Sequence, residues 1–324
     1  MTSYQDLLKI YLKHLSEHQF EGAPDELYDP ANYILGLGGK RVRPLLALIG
    51  YELGQKDLNT ALPLAHAVEV FHNFTLMHDD IMDNADVRRG HPTVHQKWNT
   101  NIAILSGDLM LVKAYQLLNK LETDDGTKSS IIEAFGQMAE AVCVGQQYDM
   151  NFETLDNVSE SSYIRMIECK TSVLLAFSLK AGGMLAGIDK SMETHLYDYG
   201  LNVGLAFQIM DDYLDTFGDQ DSFGKRIGGD ILENKKTLLW IEAKKRCSPE
   251  QLSTLNHWIN KTDAPETKIS AVTQLYKDLE VDVYAQLKMQ SYFNDAAKHL
   301  AKIKTHYDTT VLESLATDLN VRIS

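Results

Sequence analysis

The chain carries the sequence DDIMD at Asp79–Asp83, where a long apolar stretch with helical spacing ends. A second sequence of the same form, DDYLD at Asp211–Asp215, ends another apolar stretch. Because an α-helix turns about 100° per residue, the first and fifth residues of each motif point in similar directions. A single acidic run is usually a solvated helix end. Two copies, 132 residues apart (211 − 79), indicate a shared chemical purpose instead.

Six carboxylates facing one cavity would repel one another in a low-dielectric interior. A cation must therefore lie between them. Mg²⁺ suits such a site because it binds a few carboxylates, keeps several waters and takes its remaining ligands from substrate phosphates. The pattern predicts a metal-bridged diphosphate. The predicted metal ligands are Asp79, Asp80, Asp83, Asp211, Asp212 and Asp215.

Residues that interrupt helices are few, since the 324 residues include only 7 prolines and 20 glycines, and this favours long helices. No linker, low-complexity tract or short-period repeat divides the chain. We therefore expect an all-α protein with a single domain over residues 1–324. The predicted helices are Ser3–Gln19, Pro30–Leu37, Leu45–Gly54, Ala61–Asp83, Val94–Asn99, Ile102–Leu121, Lys128–Phe152, Ser161–Leu185, Thr194–Asp215, Thr237–Arg246, Pro265–Lys304 and Thr310–Val321, the last three as peripheral helices.

The composition excludes several classes of protein. A net charge of −14 argues against nucleic acid as a partner, since binding a phosphate backbone needs a basic surface. Cys143, Cys169 and Cys247 are odd in number and lack CxxC spacing, so we expect buried or neutral thiols without a disulfide or zinc site. No apolar run reaches about 18 residues, which predicts no transmembrane segment and, by default, a cytoplasmic location.

Basic residues beside glycines could bind the anions that the carboxylates imply. Such segments lie at Gly38–Arg43, at Arg88–Gly90, and from Gly224 to Lys236. Glycine lets a backbone approach an anion closely, and arginine matches phosphate oxygens two at a time. Each segment alone could be a solvated basic loop. Lys170, in an apolar helix, could likewise be a snorkelling core lysine or a cation on a metal-bound phosphate.

The ordered motifs closely resemble those of the trans-type polyprenyl diphosphate synthases, which elongate isoprenyl chains head to tail. The resemblance covers about two-thirds of the chain. It implies an all-α helical bundle around a deep central cavity, usually as a homodimer. The matching motifs are GGKRVRP (Gly38–Pro44), HNFTLMHDDIMDNADVRRGHPTVH (His72–His95), GD (Gly107-Asp108), GQQYDM (Gly145–Met150), KTSVL (Lys170–Leu174), FQIMDDYLD (Phe207–Asp215) and GKRIGGDILENKKT (Gly224–Thr237).

The resemblance also implies a role for most polar residues in these motifs, although it leaves Arg41 without one. The residues that would hold isopentenyl diphosphate are Lys40, Arg43, His72 and Arg89. The residues that would contact the allylic diphosphate, beside three Mg²⁺ ions on the six aspartates, are Arg88, Lys170, Lys225 and Lys235. Thr171 and Gln208 would line the reacting centre. Alternatively, His72 and Gln208 could be core residues whose polar atoms are hydrogen-bonded within the protein.

The reaction that these parts imply is ionisation of the allylic diphosphate, attack by isopentenyl diphosphate, and loss of a proton to the released pyrophosphate. The sequence disfavours four other classes of protein. A class I terpene cyclase normally has one DDxxD motif and lacks the Gly38–Arg43 segment, and a head-to-head synthase is disfavoured for the same reasons. A regulatory subunit tends to lose an acidic cluster. A purely structural protein would leave the aspartates unexplained.

Product length is predicted from the helix that carries the first motif. Phe74 lies five residues before Asp79, Thr75 lies four before it, and Phe71 is one turn further away. In the family, an aromatic residue at the fifth position limits products to short chains. A single aromatic without an insertion in the motif resembles enzymes that make geranylgeranyl diphosphate (C20), and farnesyl diphosphate (C15) is the alternative. Both phenylalanines could also be ordinary core residues.

Overall fold

A computed structural model describes residues 2–218, 227–261 and 263–320, the last with side chains to residue 315. In this part of the chain the fold is all-α, as predicted. The helices are α1 Tyr4–Glu17, α2 Asp25–Gly36, α3 Val42–Glu52, α4 Leu62–Met82, α5 Val94–Lys97, α6 Thr100–Asn119, α7 Asp125–Thr154, α8 Glu160–Ile167, α9 Val173–Ala186, α10 Lys190–Phe217, α11 Gly229–Glu233, α12 Leu238–Arg246, α13 Pro249–Ile259, α14 Pro265–Asp278, α15 Val281–Lys304 and α16 Thr310–Asn320.

Three short elements complete the described chain. A 3₁₀ turn spans Leu58–Thr60, and a π-helical turn spans Glu168–Ser172 between α8 and α9. After the first motif, the chain forms a hairpin of two short strands, β1 Val87–Arg88 and β2 His91–Pro92. No helix of the described residues combines the length and hydropathy needed to cross a bilayer.

Several predicted boundaries were wrong. Helix α2 begins at Asp25 and contains Pro30, and the acidic residues of its first turn favour that start. Helix α13 was missed, although Ser248 and Gln251 form a capping box at its start. The helix predicted over Pro265–Lys304 is two helices, because Glu280 has a left-handed backbone with φ of 53°.

The described residues form two compact units, which we call unit 1 (residues 2–137, 177–197 and 302–315) and unit 2 (residues 138–176, 198–218, 227–261, 263–301 and 316–320). The single domain over residues 1–324 therefore stays a prediction. Cys143, Cys169 and Cys247 are free thiols, of which Cys169 is buried, Cys247 is half-buried and Cys143 is exposed.

The core of unit 1 forms around α4, which packs against α2, α3 and α6. Helix α3 also approaches α9 very closely. A Cβ atom at Gly50 would lie 2.2 Å from the carbonyl oxygen of Leu179, and one at Gly182 would lie 2.1 Å from that of Ala47. Since real side chains do not tolerate such distances, glycine is required where these two backbones meet.

The core of unit 2 includes the segment that was predicted to be peripheral. Leu238, Trp240 and Val281 are buried in one apolar cluster with Tyr163 and Ile209. The prediction of peripheral helices was therefore wrong for α12, for α14, which adds Val272 and Tyr276 to this cluster, and for the start of α15. Their hydrophobic residues belong to the same buried cluster as residues of α8 and of α10, the helix that carries the second acidic motif.

Candidate active site

The first acidic motif ends α4 in unit 1, and its members differ in environment. Asp80 is 1% exposed and accepts hydrogen bonds from Arg88 Nε at 2.8 and 2.9 Å. Burial raises the pKa of Asp80, and the neighbouring Arg88 opposes that rise. Asp79 is partly exposed, with Arg88 Nη2 at 3.7 Å from Oδ2, whereas Asp83 is the exposed C-cap residue. Arg88 therefore lies against the first two carboxylates.

The hairpin that presents Arg88 also presents Arg89. Arg89 has a left-handed backbone with φ of 53°, and its side chain donates a hydrogen bond to the carbonyl oxygen of Gly38. A Cβ atom at Gly39 would lie 3.0 Å from Arg89 Cζ. Gly39 thus leaves the space that the arginine side chain occupies.

The residues predicted to bind isopentenyl diphosphate form a basic cluster in unit 1. Arg43 Nη1 lies 3.1 Å from His72 Nε2. Burial lowers the pKa of Arg43 to about 10, an effect that Glu69 opposes and Arg89 reinforces. Burial and the surrounding arginines hold the pKa of His72 well below its usual range. Lys40 is exposed beside them, and its carbonyl accepts from the Tyr4 hydroxyl at 3.1 Å. These mutually repelling cations suit an anionic ligand.

Arg41, which the motif left without a role, points into the protein. It pairs with Glu69 of α4 and donates from Nη2 to the carbonyl oxygen of Leu35 at 2.6 Å. Asn73 Nδ2 supports the same carboxylate, with 3.0 Å to Glu69 Oε1. The backbone of Arg41 is left-handed at the N-cap of α3. Arg41 therefore anchors the basic loop and does not form part of its anion-binding surface.

The residues predicted to set product length lie on α4, before the first motif. Phe71 is 1% exposed, and its ring is 5.6 Å from that of Phe74 between centroids. Phe74 is partly exposed and also packs against His78, at 4.9 Å. Thr75 donates from Oγ1 to the carbonyl oxygen of His72 at 2.7 Å. Phe74 is thus less buried than Phe71, which is consistent with a side chain that lines a cavity.

The second acidic motif lies near the end of α10 in unit 2. Asp212 is buried and accepts hydrogen bonds from the Tyr163 hydroxyl and from Gln208 Nε2, the latter at 3.1 Å. Burial raises the pKa of Asp212 well above its ordinary value, and nearby Asp230 adds to the rise. Asp211 and Asp215 are less buried. Asp212 is therefore held by protein donors on both oxygens, while its two neighbours are more accessible.

Asp230 belongs to this cluster but was missed by the sequence analysis. Its backbone N–H donates to Asp215 Oδ2 at 2.9 Å, and Lys235 Nζ lies 3.6 Å from its Oδ1. Burial and then Asp215 raise the pKa of Asp230 to about 7. The signal that could have found it is its position directly after Gly228-Gly229, within the last basic segment. Lys225, another predicted ligand in that segment, lies outside the described residues.

Lys170 and Thr171 lie in the π-helical turn of unit 2. Lys170 Nζ pairs with Asp149 Oδ2 at 2.5 Å, and Thr171 Oγ1 donates to Gln208 Oε1 at 3.0 Å. Asp149 had no predicted role, although the motif GQQYDM contains it. A hydrogen-bonded series thus runs from Thr171 through Gln208 to Asp212. Thr171 and Gln208, the two residues predicted to line the reacting centre, are thus in contact in unit 2.

Two glycines make the π-helical turn possible. A Cβ atom at Gly145 would lie 2.3 Å from the backbone nitrogen of Lys170, and one at Gly204 would lie 2.7 Å from Ser172 Cα. Both distances are shorter than a real side chain allows. The turn is therefore enclosed between α7 and α10, and π-helical turns are frequent at functional sites.

The carboxylates in each unit fit a divalent metal ion. Hard carboxylate oxygens are the donors that such ions prefer. In unit 2, Asp211 and Asp215 both raise the pKa of Asp230, which means that their charges repel at short range. A bound cation would remove that repulsion. In unit 1, Asp79 and Asp80 lie together with Arg88 against them. A carboxylate cluster with cations beside it can hold a metal-bound diphosphate and withdraw charge from it.

Fold and site together define an all-α enzyme with paired acidic and basic clusters. The chain matches the family described as Polyprenyl synthetase over residues 24–279. It is 42% identical over 220 residues to a geranylgeranyl diphosphate synthase of Methanosarcina mazei, covering 68% of each protein. It is 36% identical to a geranylgeranyl pyrophosphate synthase of Geoglobus acetivorans, covering 96% of each. The crystal structure of a geranylgeranyl pyrophosphate synthase shares 40% sequence identity with this chain, and the two superpose with a TM-score of 0.93 over 99% of each chain.

The chain belongs to the polyprenyl synthetase family and is a prenyltransferase. Enzymes of this family act on isoprenoid diphosphates and use divalent metal ions. The fold is the all-α isoprenoid synthase fold of that family, as the motifs predicted.

Proposed function

We propose that this prenyltransferase condenses isopentenyl diphosphate head to tail with an allylic diphosphate (dimethylallyl, geranyl or farnesyl) and makes mainly geranylgeranyl diphosphate. The observation that carries the proposal is that each acidic cluster has its own cation: Arg88 lies on Asp80, and Lys235 lies beside Asp230. The names of the similar enzymes support the C20 product. Farnesyl diphosphate is the alternative product.

The proposed cofactor is Mg²⁺, with three ions per active site as the family resemblance implies. The aspartates that would bind it are Asp79, Asp80, Asp83, Asp211, Asp212 and Asp215. When bound, the metal neutralises charge on the departing diphosphate. The cations assigned to the allylic diphosphate are Arg88, Lys170, Lys225 and Lys235. Their positive charges stabilise the leaving group, and such electrostatic stabilisation is usually the largest single contribution to catalysis.

Isopentenyl diphosphate is held by the basic cluster of unit 1, in this proposal. Lys40, Arg43 and Arg89 bind its diphosphate, and the neutral His72 can donate one hydrogen bond to it. This positioning replaces a bimolecular encounter between double bond and allylic cation. Thr171 and Gln208 stabilise the reacting centre with their dipoles. The C–O bond breaks, a C–C bond forms, and the proton lost from the new chain passes to the released pyrophosphate.

A homodimer is also proposed, since α6 exposes apolar side chains. Leu105 is 59% exposed and Val112 is 51% exposed, and they lie seven residues apart on one helix face. Burying such a stripe against a second copy would remove it from water. Sedimentation of the protein and of the variant Leu105→Asp tests this proposal, because only the unmodified chain should sediment as a dimer. The cytoplasmic location stays a prediction.

One incubation tests the proposed reaction. The chain is mixed with isopentenyl diphosphate, farnesyl diphosphate and Mg²⁺, and the products are separated by chromatography. We expect geranylgeranyl diphosphate. A matched incubation without isopentenyl diphosphate identifies a terpene cyclase, which would release hydrocarbons from the allylic substrate alone. If no prenyl diphosphate longer than the supplied farnesyl diphosphate formed, the proposal would be contradicted and a non-catalytic subunit favoured.

A further inference from the structure

A lysine outside every recognised motif is buried in unit 2. Lys268, on α14, is 3% exposed. Its ammonium donates to Asn234 Oδ1 at 2.7 Å, and among the described residues no carboxylate pairs with it. A buried ammonium is costly unless protein groups replace its water. Burial lowers the pKa of Lys268, and Lys236 lowers it further. This cost indicates that the contact with Asn234 serves a purpose.

Asn234 holds the turn that follows α11. Its backbone is left-handed, with φ of 56° and ψ of 34°, and its N–H bonds back to α11. The next residue, Lys235, donates its backbone N–H to the carbonyl oxygen of Asp230 at 2.9 Å. The side chain of Lys235 also returns to this helix, with Nζ at 3.1 Å from Glu233 Oε2. The conformation of Asn234 therefore determines the direction in which Lys235 projects.

The underside of this turn is not fully packed. A cavity of about 20 Å³ lies there, lined by Asp230, Asn234, Lys235, Trp240, Lys268 and Tyr276. That volume is room for one water-sized group. The indole N–H of Trp240 is buried without a hydrogen-bond partner among the described residues. Packing alone therefore leaves the turn under-supported, and the bond from Lys268 is a directional restraint on it.

We infer that Lys268 is a positioning residue for the site of the allylic diphosphate: through Asn234 Oδ1 it fixes the left-handed turn that directs Lys235 toward Asp230. Lys268 itself contacts no substrate in this scheme. The inference rests on the proposed function, because that proposal assigns Lys235 to the allylic diphosphate. It adds a residue on α14 whose effect reaches the site through one hydrogen bond.

The primary test is the variant Lys268→Met, which keeps the aliphatic stem and removes the ammonium. We expect the KM for the allylic diphosphate to rise on the order of tenfold, the value of one charged hydrogen bond, while the KM for isopentenyl diphosphate stays unchanged. The matched control is Lys277→Met, an exposed lysine of the same helix, which should change neither KM. Equal changes in both constants, or none, would overturn the inference.

A second variant separates the side chain of Asn234 from its backbone. Asn234→Gly keeps the left-handed conformation, which glycine adopts readily, but removes the acceptor of Lys268. It should raise the same KM as Lys268→Met. The double variant should be no worse than either single one, because both remove the same bond. Additive effects would contradict the coupling, and this variant also serves if Lys268→Met fails to fold.

A binding measurement keeps the two proposals apart. Inorganic pyrophosphate with Mg²⁺ is titrated into the unmodified chain and into both single variants, with heat as the readout. We expect about tenfold weaker binding in the variants. If the unmodified chain does not elongate the allylic substrate, the proposed function fails. If it is active and the variants bind pyrophosphate as tightly as it does, only the role of Lys268 fails.

Discussion

Arg41 and Glu69 form an ion pair in which each side chain is only 2% exposed. The pair joins the basic loop before α3 to the helix that ends in the first acidic motif. Because both charges are buried away from water, each is stabilised mainly by its partner. The loop that presents Lys40 and Arg43 is therefore fixed from beneath by a residue that the substrate does not contact.

Loss of one partner of this pair should be costly. Arg41→Met or Glu69→Leu is expected to lower the free energy of unfolding by about 3–5 kcal/mol, because an unpaired charge remains buried. The double variant should recover most of that loss. Urea unfolding measures the three values. The control is Arg165→Met, whose pair with Glu168 is exposed and should be worth less than about 1 kcal/mol. Additive losses in the double variant would refute the pairing.

Activity should depend on a divalent metal, because the carboxylates cannot hold an anionic substrate without one. Asp79→Ala and Asp211→Ala are each expected to lower turnover by orders of magnitude, because each removes a ligand of the metal that would neutralise the departing diphosphate. Thermal unfolding should show that both variants remain folded. Asp125→Ala, at the exposed start of α7, is the control. Full turnover in excess chelator would rule out the metal-bound diphosphate.

The two anion sites should separate in kinetics. Arg43→Ala and Arg89→Ala are expected to raise the KM for isopentenyl diphosphate, whereas Lys235→Ala should raise that for the allylic substrate. The loss of one charged hydrogen bond is worth about 1.5–3 kcal/mol. Initial rates with each substrate varied in turn give both constants. The assignment is wrong if each variant raises both constants to the same extent.

Product length should respond to α4. Phe74→Ala should lengthen the main product, because it removes the ring that packs on Phe71 and His78. Thr75→Phe should shorten it by placing a second ring one residue nearer to the metal site. Chromatography of the dephosphorylated products gives the chain lengths. An unchanged distribution in both variants would show that Phe74 is ordinary core.

The free energy of unfolding should decrease as the pH is lowered, because of a buried histidine. His66 of α4 is 1% exposed, and burial lowers its pKa to about 3. The unfolded chain takes up this proton below about pH 6.5, whereas the folded chain does not, so acid favours unfolding. The stability linked to the neutral form of His66 is fully present above pH 6.5 and is progressively lost as the pH falls from 6.5 to 3.

The variant His66→Leu isolates this effect. Between pH 7.5 and 5 the unmodified chain should lose about 2 kcal/mol more than the variant, by the linkage of that proton to folding. Urea unfolding at both pH values gives the difference. His257→Leu, at an exposed position, should leave the pH dependence as it is. Equal pH dependence in His66→Leu and the unmodified chain would show that His66 is protonated in the folded state.

The sequence predicted those parts of the site that repeat or cluster. The paired aspartates and the glycine-flanked arginines are visible as local patterns, and the structure brings Arg43, His72 and Arg89 together. Contacts between distant single residues were not predictable. Asp149 and Asp230 lie within recognised motifs and Lys268 lies in none, but for all three only tertiary packing supplies the partner. The missed helix α13 is different, because its capping box could have been read from Ser248 and Gln251.

The π-helical turn at Glu168–Ser172 has a consequence for how this activity can be gained or lost. A π turn holds one residue more than the α-helical ring that it replaces, so it is equivalent to a single-residue insertion. Removing one residue there would restore α-helical phase and rotate Lys170 or Thr171 by about 100° away from its partner. The contacts of Lys170 with Asp149 and of Thr171 with Gln208 would be lost although every motif outside the turn remained. The number of residues at one point of the backbone, and not only their identity, therefore sets which partners these two side chains reach.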